Sequence, residues 1–339
     1  MRAAIFDAPH AVRLAEAPRP SPAPGEALVR VGAAGLCAGD LYIYLGRNPY
    51  VTYPRIGGHE IAGTVEQLGP DTEGPPPGSR VVVEPFIGCG RCYPCRVGKS
   101  NCCANLSIIG VHREGGFAEV VVAPIDRLHP IPEGLSMHDA SFAEPLAIGV
   151  QACRRAQVTA ADTVLVLGAG PIGLALVEVA RAYGATVFAT DIAPKRLETA
   201  AWLGATPLPA EDLAEHVGNV TNGEGMPVVI EATGVPAVMA QTLGLVAAGG
   251  RIVIVGLAKR GDGVTFPGLD ITRKEATILG SRASVDCFPE ALRLLAGGAI
   301  RYTSVATALP LARAPETFAL LARDHGAMHK AVFVTGDMA

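Results

Sequence analysis

Along roughly the first 150 residues, short apolar runs stand between clusters of glycine and proline. Ala27 to Val31, Arg80 to Val83 and Glu119 to Val122 each read as a short strand, β-branched or apolar and bounded by turn residues. Pro18, Pro20, Pro22 and Pro24, then Pro75 to Pro77 with Gly78, mark the connections as surface turns. Many short strands with such turns predict an irregular barrel or sandwich. After about residue 150 the rhythm changes. Thr163 to Leu167 is a continuous apolar strand, followed by a glycine turn and an amphipathic helix from Pro171 to about Tyr183. Thr186 to Thr190 is a strand again, with a helix running on to about Leu203. Val228 to Glu231, Arg251 to Val255 and Thr277 to Gly280 continue the alternation. Strands alternating with helices predict a parallel sheet covered on both faces, so the chain is of the α/β class. Beyond about Val285 a helix over Pro289 to Ala296 is expected, then mixed elements.

At 339 residues the chain is expected to divide into two domains of ordinary size. Hydrophobic residues make up 49% and charged residues 18%, which suits a soluble globular protein with large cores. The net charge of -4, few aromatics and no basic block argue against nucleic acid as a partner. A charge-free run from Ala232 to Gly250 is broken by Gly234, Pro236, Gln241 and Gly244 and sits inside a strand-helix-strand pattern. It is read as core, so no membrane partner is expected. Asp7 interrupts the N-terminal apolar stretch, and no signal-peptide core is expected. Five of eight cysteines cluster between Cys89 and Cys103, which favours metal over disulfides and a reducing, cytoplasmic setting.

That cluster reads C-G-R-C-Y-P-C-R-V-G-K-S-N-C-C. Cys89, Cys92 and Cys95 can turn onto one centre and Cys103 can supply a fourth thiolate, the arrangement of a closed structural zinc site. Cys102 is a bystander thiol. A second constellation, Cys37 with His59 and Glu60, lies in glycine-rich turns at strand ends. Thiolate with imidazole suits zinc, and a catalytic zinc keeps one position open.

Gly168, Gly170 and Gly173, with Ala169, Pro171 and Ile172 between them, form G-A-G-P-I-G directly after a strand and at the mouth of a helix. There the glycines allow a tight turn, close approach of backbone to a pyrophosphate, and helix-to-strand packing. The helix N-terminus offers free N–H groups to phosphate. Asp191, at the end of the second strand, would accept the adenosine ribose hydroxyls and repel a 2′-phosphate, which favours NAD over NADP. Lys195 and Arg196 follow and leave some tolerance for NADP. Thr233, after the Val228 to Glu231 strand, is placed with the cofactor-binding residues.

These motifs together resemble the zinc-containing medium-chain dehydrogenase/reductase superfamily along nearly the whole chain. Cys37 to Asp40, G-G-H-E from Gly57, the four-cysteine lobe, G-G-F-A-E from Gly115, E-P-L from Glu144, G-A-G-P-I-G from Gly168 and Asp191 occur in that order. N-P-Y-V-T-Y-P-R-I from Asn48, S-I-I-G-V-H-R-E-G-G-F from Ser107 and L-G-S-R from Leu279 look like the bacterial sugar-acid and polyol branch, of L-galactonate and starvation-sensing type. The resemblance implies a GroES-like catalytic domain from residues 1–150 with 286–339 and a Rossmann NAD-binding domain from 151–285. It implies two zinc ions per chain, with Cys37, His59 and Glu144 holding the catalytic one. Glu60 matches a glutamate that can enter or leave that shell, and Cys89, Cys92, Cys95 and Cys103 match the structural ligands. It also implies a homodimer or homotetramer.

Two positions depart from the family. Where it carries a hydroxyl and then a histidine for a proton relay, this chain has Gly39 and Tyr42. Tyr42, Tyr44 or a water held by Glu60 is left to carry the proton. Arg282 in G-S-R is the candidate for a substrate carboxylate or hydroxyls, because its planar fork suits bidentate contact, and Tyr44 is placed with it at the substrate. The activity implied is hydride transfer from a secondary hydroxyl of a small sugar acid or polyol to NAD+, giving a ketone. The alternative is a nucleotide-binding sensor or structural protein on the same fold, without turnover.

Overall fold

The strand Glu26–Gly35 organises the first half of the chain, and only its outer residue Arg30 is exposed. In the computed structural model, which describes residues 1–335, three partners hydrogen-bond to it. Glu60–Leu68 lies antiparallel along one side. Val120–Pro124 pairs with its first half, and Lys330–Val334, from the far end of the chain, pairs with its last residues. Arg80–Val83 and Leu128–Pro130 extend the sheet beyond Glu60–Leu68, and Ala306–Pro310 extends it beyond Lys330–Val334. A hairpin of Arg2–Ala8 with Ala11–Glu16, joined by Arg55–Ile56, makes a smaller sheet. The strand-rich expectation holds, but Glu26–Gly35 runs four residues past Val31, and that extension carries the chain to Cys37.

The core of this unit is aromatic. The Phe318 ring meets Phe6 and Phe117 edge-on at 5.0 and 5.9 Å, lies tilted against Phe333 at 6.3 Å, and stacks on Tyr44 at 5.7 Å. Offset and edge-to-face arrangements of this kind add to the burial of the rings themselves.

The second unit is a six-stranded, all-parallel sheet. Its order is Thr206–Pro207, Thr186–Thr190, Thr163–Leu167, Met226–Glu231, Val246–Ile254, Thr277–Gly280. The first strand in sequence, Thr163–Leu167, therefore lies mid-sheet, and the strand order reverses beside it. This is the doubly wound Rossmann arrangement, with its ligand crevice at the carboxyl ends of the strands where the order reverses. Burial on both faces explains why the strand Thr163–Leu167 reads as a continuous apolar run. The charge-free segment from residue 232 becomes a helix, Pro236–Leu245, and the start of the Val246–Ile254 strand.

By contacts, one compact unit comprises Met1–Glu144, Phe288–Gly297 and the chain from Thr303 onward. The other comprises Pro145–Cys287 and Gly298–Tyr302. Among the described residues no helix is long and apolar enough to cross a membrane. Phe318→Ala should destabilise the first unit by about 3–5 kcal/mol, read as a lowered midpoint in urea unfolding, because a fully buried ring leaves a cavity among four others. A loss under about 1 kcal/mol would contradict this packing.

Candidate active site and metal centres

Cys37 lies just beyond the Glu26–Gly35 strand and caps the helix Ala38–Tyr44. The fully buried carboxylate of Asp40, in the helix's first turn, accepts the Cys37 backbone N–H at 2.9 Å. Its other oxygen accepts the N–H of Gly58 at 3.1 Å and lies 3.4 Å from His59 Nδ1. One carboxylate thus ties the cysteine turn to the G-G-H-E turn. Gly58 has φ +90°, and a Cβ there would lie 2.7 Å from the Phe117 ring, so no other residue fits that turn. His59 then precedes the strand Glu60–Leu68. With Nδ1 turned to Asp40, the other ring nitrogen is left to act as a donor to metal. Burial opposes protonation of His59, but Asp40 and then Cys37 outweigh it and hold its pKa well above the usual histidine value.

One ligand atom each from Cys37, His59 and Glu60 lies within 4.8 Å of the others. Glu60 Oε1 accepts from the ammonium of Lys330, and both side chains are buried. Glu60 Oε2 is buried with no hydrogen-bond partner, as is His59 Nδ1. A thiol, an imidazole and a carboxylate with one buried, unpartnered oxygen, gathered at one spot, fit a zinc ion with an open position. Burial lowers the tendency of Lys330 to stay charged, but Glu60, Cys37 and Glu144 together raise its pKa above the ordinary lysine value.

Glu144 stands in the first turn of the helix Ala143–Ala156, buried near these groups. It is not in the three-residue group, so the structure brings Glu60 rather than Glu144 to Cys37 and His59. Its pKa is pushed up to about 7, by burial first and then by the charges of Glu60 and Asp40, against the pull of His59 and Lys330. Tyr42 is half exposed. Tyr44 is buried, with its ring stacked on Phe318 and meeting His10 edge-on inside the core. At Gly39 a Cβ would sit 3.6 Å from His59 and 3.8 Å from the Cys37 sulfur, ordinary contact, so steric exclusion does not account for the missing hydroxyl.

The cysteine lobe folds as its spacing suggests. Cys92 caps the short helix Tyr93–Arg96, which contains Cys95, and the 3-10 turn Ser100–Cys102 returns the chain to Cys103. Cys92 Sγ is 3.5 Å from Cys95 Sγ and 3.7 Å from Cys103 Sγ. Four sulfurs at about 2.3 Å from a zinc would sit roughly 3.8 Å apart, so the lobe has the right span, and all its thiols are free. Cys103 Sγ also accepts the N–H groups of Cys89 and Asn105 at 3.2 and 3.3 Å. Cys102 is exposed and outside the group. The N–H groups of Arg91 and Cys92 lower the Cys89 thiol to about 6, whereas burial, followed by Cys92, raises Cys95 to about 11.

In the second unit the glycine loop has three distinct needs. Gly168 has φ +94° and touches Thr233 where a Cβ would be. A Cβ at Gly173 would strike the Gly168 carbonyl at 1.8 Å, which is the close helix-to-strand packing. Gly170 caps the helix Pro171–Ala182 and has nothing within 4 Å of its missing side chain, leaving the N-terminus open to a phosphate. Pro171 begins that helix, where its missing donor costs nothing, and Ile172 follows. Asp191 accepts the N–H of Ala169 with one oxygen and of Ala193 with the other, each at 2.8 Å. It therefore braces the glycine loop, and Arg196 approaches it at 4.0 Å. Thr233 is held by Glu231, a fully buried carboxylate that accepts Thr233 N–H and hydroxyl and Gly234 N–H. Arg282 is exposed just past the strand Thr277–Gly280.

Asp40, Lys330 and Glu231 escaped the sequence reading. Asp40, three residues after a capping cysteine, carries a local signal for its role. Glu231 closes a strand at the switch point, another local clue. Lys330 lies 270 residues from its partner, and nothing local marks it.

Residues 23–133 match the alcohol dehydrogenase GroES-like domain, and 171–297 match the zinc-binding dehydrogenase domain. The chain is 37% identical over 304 residues to L-galactonate-5-dehydrogenase of Escherichia coli K12, covering 88% of each. An E. coli CFT073 alcohol dehydrogenase (rspB) complexed with NADH superposes with a TM-score of 0.92 at 32% identity, over 99% of each chain. A putative zinc-binding dehydrogenase of Sinorhizobium meliloti 1021 bound to NADP gives 0.93 at 33%, over 98% of this chain and 99% of that one. The chain belongs to the zinc-type alcohol dehydrogenases of the medium-chain dehydrogenase/reductase superfamily and is an oxidoreductase of that family.

In zinc-stripped protein, iodoacetamide followed by peptide mass mapping should modify Cys89 well ahead of Cys95 at pH 7, because the thiolate is the nucleophile. Equal rates, or Cys95 first, would contradict the electrostatics of the lobe.

Proposed function

We propose that the protein oxidises a secondary hydroxyl of a small sugar acid or polyol to a ketone, with NAD+ as the preferred hydride acceptor. The reaction R2CHOH + NAD+ → R2C=O + NADH + H+ balances with one proton released. The observation that carries this reading is the meeting of Cys37, His59 and Glu60, with one ligand atom each within 4.8 Å of the others, in a chain with a glycine loop for a dinucleotide. When bound, zinc and NAD+ would supply Lewis acidity toward the hydroxyl oxygen and a place for the hydride.

The protein's own residues do the rest. Cys37, His59 and Glu60 hold the metal, with Glu144 beside them as a carboxyl of raised pKa able to exchange a proton near neutrality. Asp40 fixes the orientation of the imidazole. With glycine at position 39, the proton leaves by a route other than a hydroxyl there, and Tyr42 and water at Glu60 are the carriers offered. Cys89, Cys92, Cys95 and Cys103 hold a second, structural zinc. Gly168, Gly170, Pro171, Ile172 and Gly173 receive the pyrophosphate, and Asp191 takes the adenosine ribose with Thr233 and Arg196 nearby. Arg282 serves a substrate carboxylate or hydroxyls. The unit with both thiol clusters acts as the catalytic domain and the parallel-sheet unit as the NAD domain. The strand Thr277–Gly280 is the open edge of its sheet, which favours a homodimer or homotetramer, and the setting is cytoplasmic. Similarity to an L-galactonate dehydrogenase supports the sugar-acid class, and the ribose carboxylate at Asp191 supports NAD+.

Screening NAD+ reduction across aldonic acids, hexitols, pentitols and simple secondary alcohols tests the substrate class. Sugar acids or polyols should lead, and Cys37→Ala or His59→Ala should abolish turnover while NAD+ still binds. Activity retained in either variant, or nucleotide binding with no turnover of any substrate, would favour a non-catalytic sensor instead.

Asp191→Ser removes a charge from the ribose side and should shift the NADP+/NAD+ ratio of kcat/KM upward by about tenfold or more. NAD+ affinity should fall as well, since the loop loses its brace at Ala169. An unchanged ratio would show that Asp191 does not discriminate.

A further inference from the structure

Three adjacent strands in the first unit bring Lys330, Gly35 and Glu60 into line. Gly35 pairs with Val332 on one side and with Glu60 on the other. Lys330 is two residues before Val332, so its side chain and that of Glu60 rise from the same face of the sheet, on either side of the glycine. A Cβ at Gly35 would fall 1.9 Å from Glu60 Oε2 and 3.0 Å from its carboxyl carbon. The glycine therefore leaves the trough in which the Glu60 carboxylate lies. Lys330 closes the far end of that trough by donating to Oε1, and both side chains are 1% exposed.

A buried ion pair is weak support for stability, because desolvating both charges offsets most of their attraction. A pair built only for packing would also satisfy both carboxylate oxygens. Here one oxygen is held and the other, lying over Gly35, is buried without a partner, in a carboxylate that offers a ligand atom to the group with Cys37 and His59. The asymmetry is what a ligand needs: one oxygen anchored and one presented.

We propose that Lys330 is a positioning residue for the metal, which pins one oxygen of Glu60 across the gap at Gly35 so that the other stands as a fixed third ligand with Cys37 and His59. The inference rests on the metal reading above and deepens it. It makes Glu60 a resident ligand, and it makes the C-terminal strand part of the metal site's support.

The test is zinc binding rather than turnover. Metal-stripped protein is titrated with zinc against a chromogenic chelator, with the four-thiol lobe as an internal control for folding. Wild-type protein should take up two zinc ions. Lys330→Met should loosen one of them about 10–100-fold, the range for loss of a group that orients a metal ligand, and leave the other unchanged. Lys330→Arg, which keeps the charge and the donors, should stay within a few-fold of wild type. In a Glu60→Gln background, Lys330→Met should add little further loss. Unchanged affinity in Lys330→Met, or a full additional loss in the Glu60→Gln background, would overturn the proposal. Should Lys330→Met also lose the lobe zinc, and so fail to fold, Lys330→Gln and Gly35→Ala decide. Each should loosen one zinc only, and unchanged binding in both would overturn it. A wild-type protein that never takes up more than the lobe zinc would refute the metal site itself.

Discussion

A single buried carboxylate, that of Asp40, holds the candidate site together. It accepts backbone N–H groups from two turns that are distant in sequence, at Cys37 and at Gly58, and faces the imidazole of His59. The pairing of Gly35 with Glu60 sets the two turns side by side, and the carboxylate fixes how they meet. Burying a charge is costly unless hydrogen bonds surround it, and Asp40 meets that condition only when both turns are in place. The same contacts that satisfy the carboxylate therefore bring the cysteine sulfur and the imidazole to one point.

Around that point acidic groups crowd together. Glu60 and Asp40 lie with Glu144, whose carboxyl is pushed up to about 7, and the ammonium of Lys330 faces Glu60. Without a cation the group is over-supplied with acids in a buried place. A divalent ion would balance it and take up the unpartnered oxygen of Glu60. The thiol lobe answers the same need differently, through backbone N–H groups aimed at its sulfurs.

Much of this was legible in the sequence, for a physical reason. Zinc lobes and glycine loops are local devices in which spacing carries the chemistry, so Cys89 to Cys103 and Gly168 to Gly173 could be read directly. Strands buried on both faces are uninterrupted apolar runs, as Thr163–Leu167 is; it has the expected limits, and so do Thr186–Thr190 and the edge strand Thr277–Gly280. What could not be read depends on tertiary pairing. Lys330 reaches Glu60 through the register of three strands, and a lysine in an apolar C-terminal strand gives no hint of that. Tyr42 and Tyr44 are two apart on one helix and look equivalent in sequence, yet one is half exposed and the other lies in an aromatic core. Asp191 was read for the ribose, and its second task of bracing the glycine loop appears only when Ala169 is seen beside it.

The most direct measurement is a crystal structure of zinc-loaded protein with anomalous differences collected at the zinc edge. The account predicts two peaks per chain. One should be surrounded by the four sulfurs of the lobe, and the other should lie about 2.0–2.3 Å from Cys37 Sγ, a His59 nitrogen and a Glu60 oxygen. A single peak in the lobe, with Glu60 turned away from an empty space between Cys37 and His59, would contradict it.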